Sequence, residues 1–98
     1  MADVTVHEVN ARLHQAQLVD VREDSEVAQG RIPGTIHIPL GQLPARVAEL
    51  DRTRPGTAIS RSGNSSGRAT QFLVQAGYDC DNMAGGMLAW QAAGLPTI

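Results

Sequence analysis

One short stretch concentrates residues able to meet a small charged ligand: Ser60-Arg61-Ser62-Gly63-Asn64-Ser65-Ser66. It lies between a β-rich run, Thr57 to Ile59, and an amphipathic run from Arg68 to Gly77. A loop that leaves a strand and enters a helix gathers unpaired backbone N–H groups and the positive end of the helix dipole at one point, which favours an anion. Gly63 lets the backbone approach a ligand closely, and the small neighbours leave the N–H groups accessible. The same composition also suits an ordinary strand-to-helix turn, because serine caps helices. Between Arg52 and Tyr78 the chain carries four arginines and no acid, although its net charge is only -2. The local excess suits a small anion. The weak overall charge argues against a general nucleic-acid or membrane binder.

Other reactive groups are sparse. Cys80 is the single cysteine, which rules out an intrachain disulfide and fits a reducing compartment, and the spacing of His7, His14 and His37 gives no zinc pattern. Cys80 falls in Tyr78-Asp79-Cys80-Asp81-Asn82, beside acids that raise a thiol pKa, and reads as a structural cysteine. No histidine lies near Ser60 in sequence to serve as its base.

The elements that must position the loop alternate short β-rich runs with helical patterns, the signature of parallel strands joined by crossover helices. Thr5-Val6-His7-Glu8 has the form of a capping box, predicting a helix from about Val6 to Gln15 with Val6, Val9 and Leu13 on one face. Leu18 to Val21 reads as a buried strand, followed by an acidic helix, Glu23 to Gln29, stopped at Gly30. Ile32-Pro33-Gly34 forms a turn into a strand at Thr35 to Ile38. Leu40, Leu43, Val47 and Leu50 recur at helical spacing, and the third strand is Thr57 to Ile59. After the loop, Ala69, Phe72, Leu73 and Ala76 give the helix Arg68 to Gly77 its apolar face. A last strand, Asp79 to Met83, precedes a closing helix that Gly85-Gly86 opens and Gly94 ends, with Trp90 in the core. The 98 residues suffice for one compact domain, and no span of roughly 20 apolar residues appears, so the expectation is one soluble, cytoplasmic domain over residues 1–98.

Four segments in order resemble the single-domain rhodaneses: Leu18-Val19-Asp20-Val21-Arg22, Gly30-Arg31-Ile32-Pro33-Gly34-Thr35-Ile36-His37-Ile38-Pro39, Arg61-Ser62-Gly63-Asn64-Ser65-Ser66, and Gly85-Gly86 through Ala89-Trp90. The resemblance implies a three-layer α/β/α fold with a parallel five-stranded sheet and a loop that cradles a persulfide. In that family the first loop residue is a cysteine whose thiolate takes the outer sulfur of thiosulfate or a related donor, with loop N–H groups stabilising the charge. The sulfur then passes to a thiol, a protein thiol or cyanide, without metal or organic cofactor.

Carried onto this chain, the nucleophile position is Ser60 and the anion-binding loop is Arg61, Ser62, Gly63, Asn64, Ser65 and Ser66. Asp20, Arg22 and Arg68 match supporting residues, Asp20 being expected to pair with an arginine or loop N–H groups. Two departures stand out. Ser60 replaces the cysteine, and a hydroxyl cannot carry sulfane sulfur, so transfer through it should be absent. Ser65 stands where family loops often carry arginine. Related phosphatases use a longer loop ending in arginine, and this sequence has neither the cysteine nor that arginine. Three accounts remain open. Ser60 replaces a cysteine in an inactive sulfurtransferase variant, Ser60 belongs to a pseudoenzyme that binds an anion or protein, or the domain is structural and its loop binds nothing.

Overall fold

The computed structural model describes residues 2–98. Five strands form one parallel sheet: β1 (Asp3–Val4), β2 (Gln17–Asp20), β3 (Ile36–His37), β4 (Gly56–Ile59) and β5 (Cys80–Met83), in the order β1-β5-β4-β2-β3. Five helices connect and cover them: α1 (Val6–Ala11), α2 (Asp24–Val27), α3 (Leu43–Arg46), α4 (Asn64–Gln75) and α5 (Gly86–Ala92). The expected α/β fold with a five-stranded parallel sheet is the one observed.

Side-chain alternation along the strands builds two cores. Leu18, Ile59 and Met83 pack on one face with Val9 of α1 and Met87 and Trp90 of α5. Val19, Ala58 and Cys80 pack on the other with Leu43 of α3 and Ala69 and Leu73 of α4. β4 lies between β5 and β2, and is buried at every position. Residue 60 follows β4 with the same parity as Ala58, so its side chain turns toward α4.

Element bounds shift by one or two residues at several ends, and four larger departures from the sequence reading stand out. The four strands read directly from residues omit β1, whose two residues pair with Asn82 and Met83. α1 has the expected capping box, with Thr5 and Glu8 as the reciprocal pair, but ends at Ala11 because the chain must turn to bring Ala16 and Gln17 into the sheet. The run Leu40 to Leu50 breaks into a 3₁₀ turn, α3 and a second 3₁₀ turn. Pro44 has no N–H to bond the carbonyl of Leu40, so one continuous α-helix cannot form there. Finally, α4 begins at Asn64 rather than Arg68, directly after Gly63 at φ +95°.

Candidate active site

The early start of α4 divides the predicted loop in two. Ser60, Arg61, Ser62 and Gly63 form the turn itself, while Asn64, Ser65 and Ser66 occupy the first helical turn. Ser66 is therefore not a loop residue. It lies on the same helical face as Ala69, Thr70 and Leu73 and is fully buried.

Ser60 sits immediately beyond the carboxyl end of β4 and is 3% exposed. Its Oγ accepts the N–H of Gly63 at 3.0 Å and lies 2.9 Å from Ser66 Oγ. The single proton of Ser66 Oγ goes to Asn82 Oδ1. Ser60 must consequently be the donor to Ser66, and its hydroxyl is used in both directions. Asn82, opposite Ala58 on β5, closes the network by donating to Asp3 Oδ1 at 3.1 Å and to the Gly63 carbonyl at 3.3 Å. Apart from hydroxyls, no side-chain base among the described residues hydrogen-bonds Ser60 Oγ.

The amino end of α5 clamps the turn from the other side. Met87 N–H donates to the Ser60 carbonyl at 2.9 Å and Leu88 N–H to the Arg61 carbonyl at 3.0 Å. Contact is close enough that a Cβ on Gly86 would lie 2.4 Å from the Ser60 oxygen, and one on Gly63 would lie 3.2 Å from Gly85 N. The paired glycines thus allow loop and helix backbones to meet.

Above Ser60 opens a cleft of about 290 Å³ lined by Val21, Arg22, Glu23, Glu26, Leu40, Ser60, Arg61 and Ser65. Arg22 lines the cleft, but its guanidinium is engaged within the protein. Its Nη2 bonds Asp20 Oδ2 at 2.9 Å and the Gly30 carbonyl at 2.8 Å, its Nε bonds Asp20 Oδ1 at 3.0 Å, and its Nη1 reaches the Glu26 carbonyl at 3.3 Å. The Asp20–Arg22 pair is buried and ties the end of β2 to α2, where an attachment of Asp20 to loop N–H groups was an alternative. Arg61 is exposed at the cleft, whereas Arg68 is exposed on α4 and is not among the lining residues. Sequence reasoning missed Asn82, Glu23, Glu26 and Gly86 as site residues.

Cys80 opens β5 opposite Gly56, at the far end of β4 from Ser60. Burial pushes its thiol up to about 11, despite a hydrogen bond to Thr70. It supplies structure to the α4-side core, and no thiolate at neutral pH.

A sequence profile described as "Rhodanese-like domain" matches residues 5–93. The chain belongs to the rhodanese-like sulfurtransferase family. This rhodanese-like domain is 40% identical over 79 residues to YtwF of Bacillus subtilis, covering 81% of this chain and 77% of that protein. It is 39% identical over 82 residues to a sulfurtransferase of Allochromatium vinosum, covering 83% and 77%. A rhodanese-related protein from Thermoplasma volcanium superposes with a TM-score of 0.96 at 28% identity, covering 100% of this chain and 98% of that one. No helix of the rhodanese-like domain, among the described residues, is long and apolar enough to cross a membrane.

Proposed function

We propose that residues 1–98 act as one rhodanese-type sulfurtransferase domain in which Ser60 holds the nucleophile position, so that the chain as written binds a small sulfur-bearing anion without transferring sulfur. Position 60 directly follows the central strand, faces the amino end of a twelve-residue helix and floors a cleft beside Arg61. That convergence is the observation that carries the reading. A thiolate there would receive the Gly63 N–H now given to the hydroxyl, and the amino end of α4 would stabilise the negative charge of a persulfide. Serine offers neither the acidity nor the sulfur. Thiosulfate or a similar donor would supply the sulfane sulfur, and a thiol, a protein thiol or cyanide would accept it. The test is turnover. Ser60→Cys should release thiocyanate from thiosulfate and cyanide, and the chain as written should release none above background.

A second reading, that Ser60 belongs to a domain that binds an anion or protein partner without chemistry, is favoured by one observation. The Ser60 hydroxyl donates to Ser66 and accepts from Gly63, so serine is fully hydrogen-bonded in its place. Failure of Ser60→Cys to turn over would favour this reading.

A further inference from the structure

The hydrogen bonds behind Ser60 run in one direction only. Asn82 Nδ2 has two protons, and both go to groups that accept: the Asp3 carboxylate at 3.1 Å and the Gly63 carbonyl at 3.3 Å. Turning the amide over would set its oxygen against those two acceptors, so Oδ1 is fixed toward Ser66. There it takes the Ser66 proton. Ser66 Oγ, fully buried and 2.9 Å from Ser60 Oγ, is left presenting only lone pairs to residue 60.

A group at position 60 that keeps its proton fits this arrangement by donating to Ser66, whereas an anion there meets an oxygen lone pair. The Gly63 N–H at 3.0 Å pulls the other way, because it bonds a charged acceptor more strongly than a neutral one. The charged groups around the cleft are Arg61, which enters no ion pair among the described residues, Arg22, which is paired with Asp20, and the carboxylates of Glu23 and Glu26. The first turn of α4 and the whole of α5 add none. On β5, Asp81 turns instead to Arg12 and the Ala2 N–H. Asp3 of β1 connects to position 60 through Asn82 and Ser66.

We infer that Asp3 and Asn82 are positioning residues for residue 60: they hold the Ser66 hydroxyl with its proton turned away, and so favour the protonated form at the nucleophile position. Ionisation there requires Ser66 to rotate and give up its bond to Asn82, and Asp3 opposes that rotation by fixing the Asn82 amide. An exposed carboxylate on the edge strand thereby acts on a buried group beyond the central strand, through two intervening side chains. This deepens the reading of residue 60 as the nucleophile position and rests on it.

The experiment follows ionisation in Ser60→Cys by the pH dependence of iodoacetamide alkylation, with peptide masses separating position 60 from the buried Cys80. With Asn82 in place, Ser66→Ala should raise the thiolate fraction at neutral pH about tenfold, because it removes the acceptor that favours the proton. Asn82→Ala should also raise it about tenfold, by letting Ser66 donate to sulfur. Adding Ser66→Ala to Asn82→Ala should then lower it. Loosened packing does not produce that reversal of sign. A fall in thiolate on Ser66→Ala alone, or no change, overturns the inference. Where Asn82→Ala fails to fold, Asp3→Ala, at an exposed position, takes its place. Its gain in thiolate should vanish in the Ser66→Ala background, and a gain that persists there is a through-space charge effect that overturns the positioning role. The readout is ionisation, not turnover, so the two readings separate. Reversal without sulfur loading from thiosulfate supports the positioning role and counts against the sulfurtransferase reading, whereas loading without reversal overturns the positioning role and leaves that reading standing.

Discussion

A Cβ placed on Gly86 would lie 2.4 Å from the carbonyl oxygen of Ser60, closer than any side-chain carbon can stand. Gly86 also has φ +58°. The requirement for glycine there is set by the loop, not by the helix that Gly86 begins. Gly86→Ala should therefore push α5 off the turn and break the Met87 and Leu88 hydrogen bonds. The expected cost is about 2–4 kcal/mol in urea unfolding, with amide shifts concentrated at residues 60–63. Gly34→Ala is the control: φ is +80° but nothing lies within 4 Å, so only backbone strain of about 1 kcal/mol should appear.

Asp20 and Arg22 are buried together, with side chains 1% and 6% exposed. Asp20→Asn leaves the Arg22 guanidinium enclosed without its counter-charge and should cost about 3–5 kcal/mol. Removing both charges in Asp20→Asn/Arg22→Met should restore part of that loss. Denaturant midpoints of the parent chain, Asp20→Asn, Arg22→Met and the double variant check the pairing, and additive effects would contradict it.

Cys80 gives a pH dependence of stability with a defined sign. Its thiol is raised from 9.0 to about 11 by burial. Below pH 9 both folded and unfolded chains keep the proton. Between there and about 11 the unfolded chain releases it while the folded chain holds it, so stability falls as pH rises through this window. Cys80→Ala should flatten that fall in urea melts between pH 8 and pH 11. A disulfide reagent at pH 8 should label Cys80 only after unfolding.

Ser65→Arg tests the charge of the cleft over residue 60. Ser65 lines the cleft in the first turn of α4, and arginine there would add a second free cation facing Glu23 and Glu26. In the Ser60→Cys background it should raise thiosulfate loading about tenfold, with the gain lost at high salt, read by stopped-flow or quenched mass measurement.

Much of this arrangement was legible because it is local. The Thr5–Glu8 cap, the glycine near Gly30 and the alternation of Leu18 and Val19 each depend on neighbours a few residues apart. β1 was not legible, since Asp3 and Val4 become a strand only by pairing with Asn82 and Met83 across the chain. The start of α4 was legible in part. Ser66 stands three residues before Ala69 and seven before Leu73, and extending that stripe backwards would have placed it on the buried face. Its bonds to Ser60 and Asn82 depend on the sheet register and have no sequence signature. Glu23 and Glu26 read simply as acids early in a helix; only the fold sets them on the wall of the cleft.

The most direct test is the intact mass of the chain as written and of Ser60→Cys after exposure to thiosulfate. The account predicts that only Ser60→Cys gains one sulfur atom and loses it again to a thiol. Sulfur on the chain as written would contradict the assignment of position 60 by pointing to Cys80, and sulfur on neither protein would contradict the sulfurtransferase reading itself.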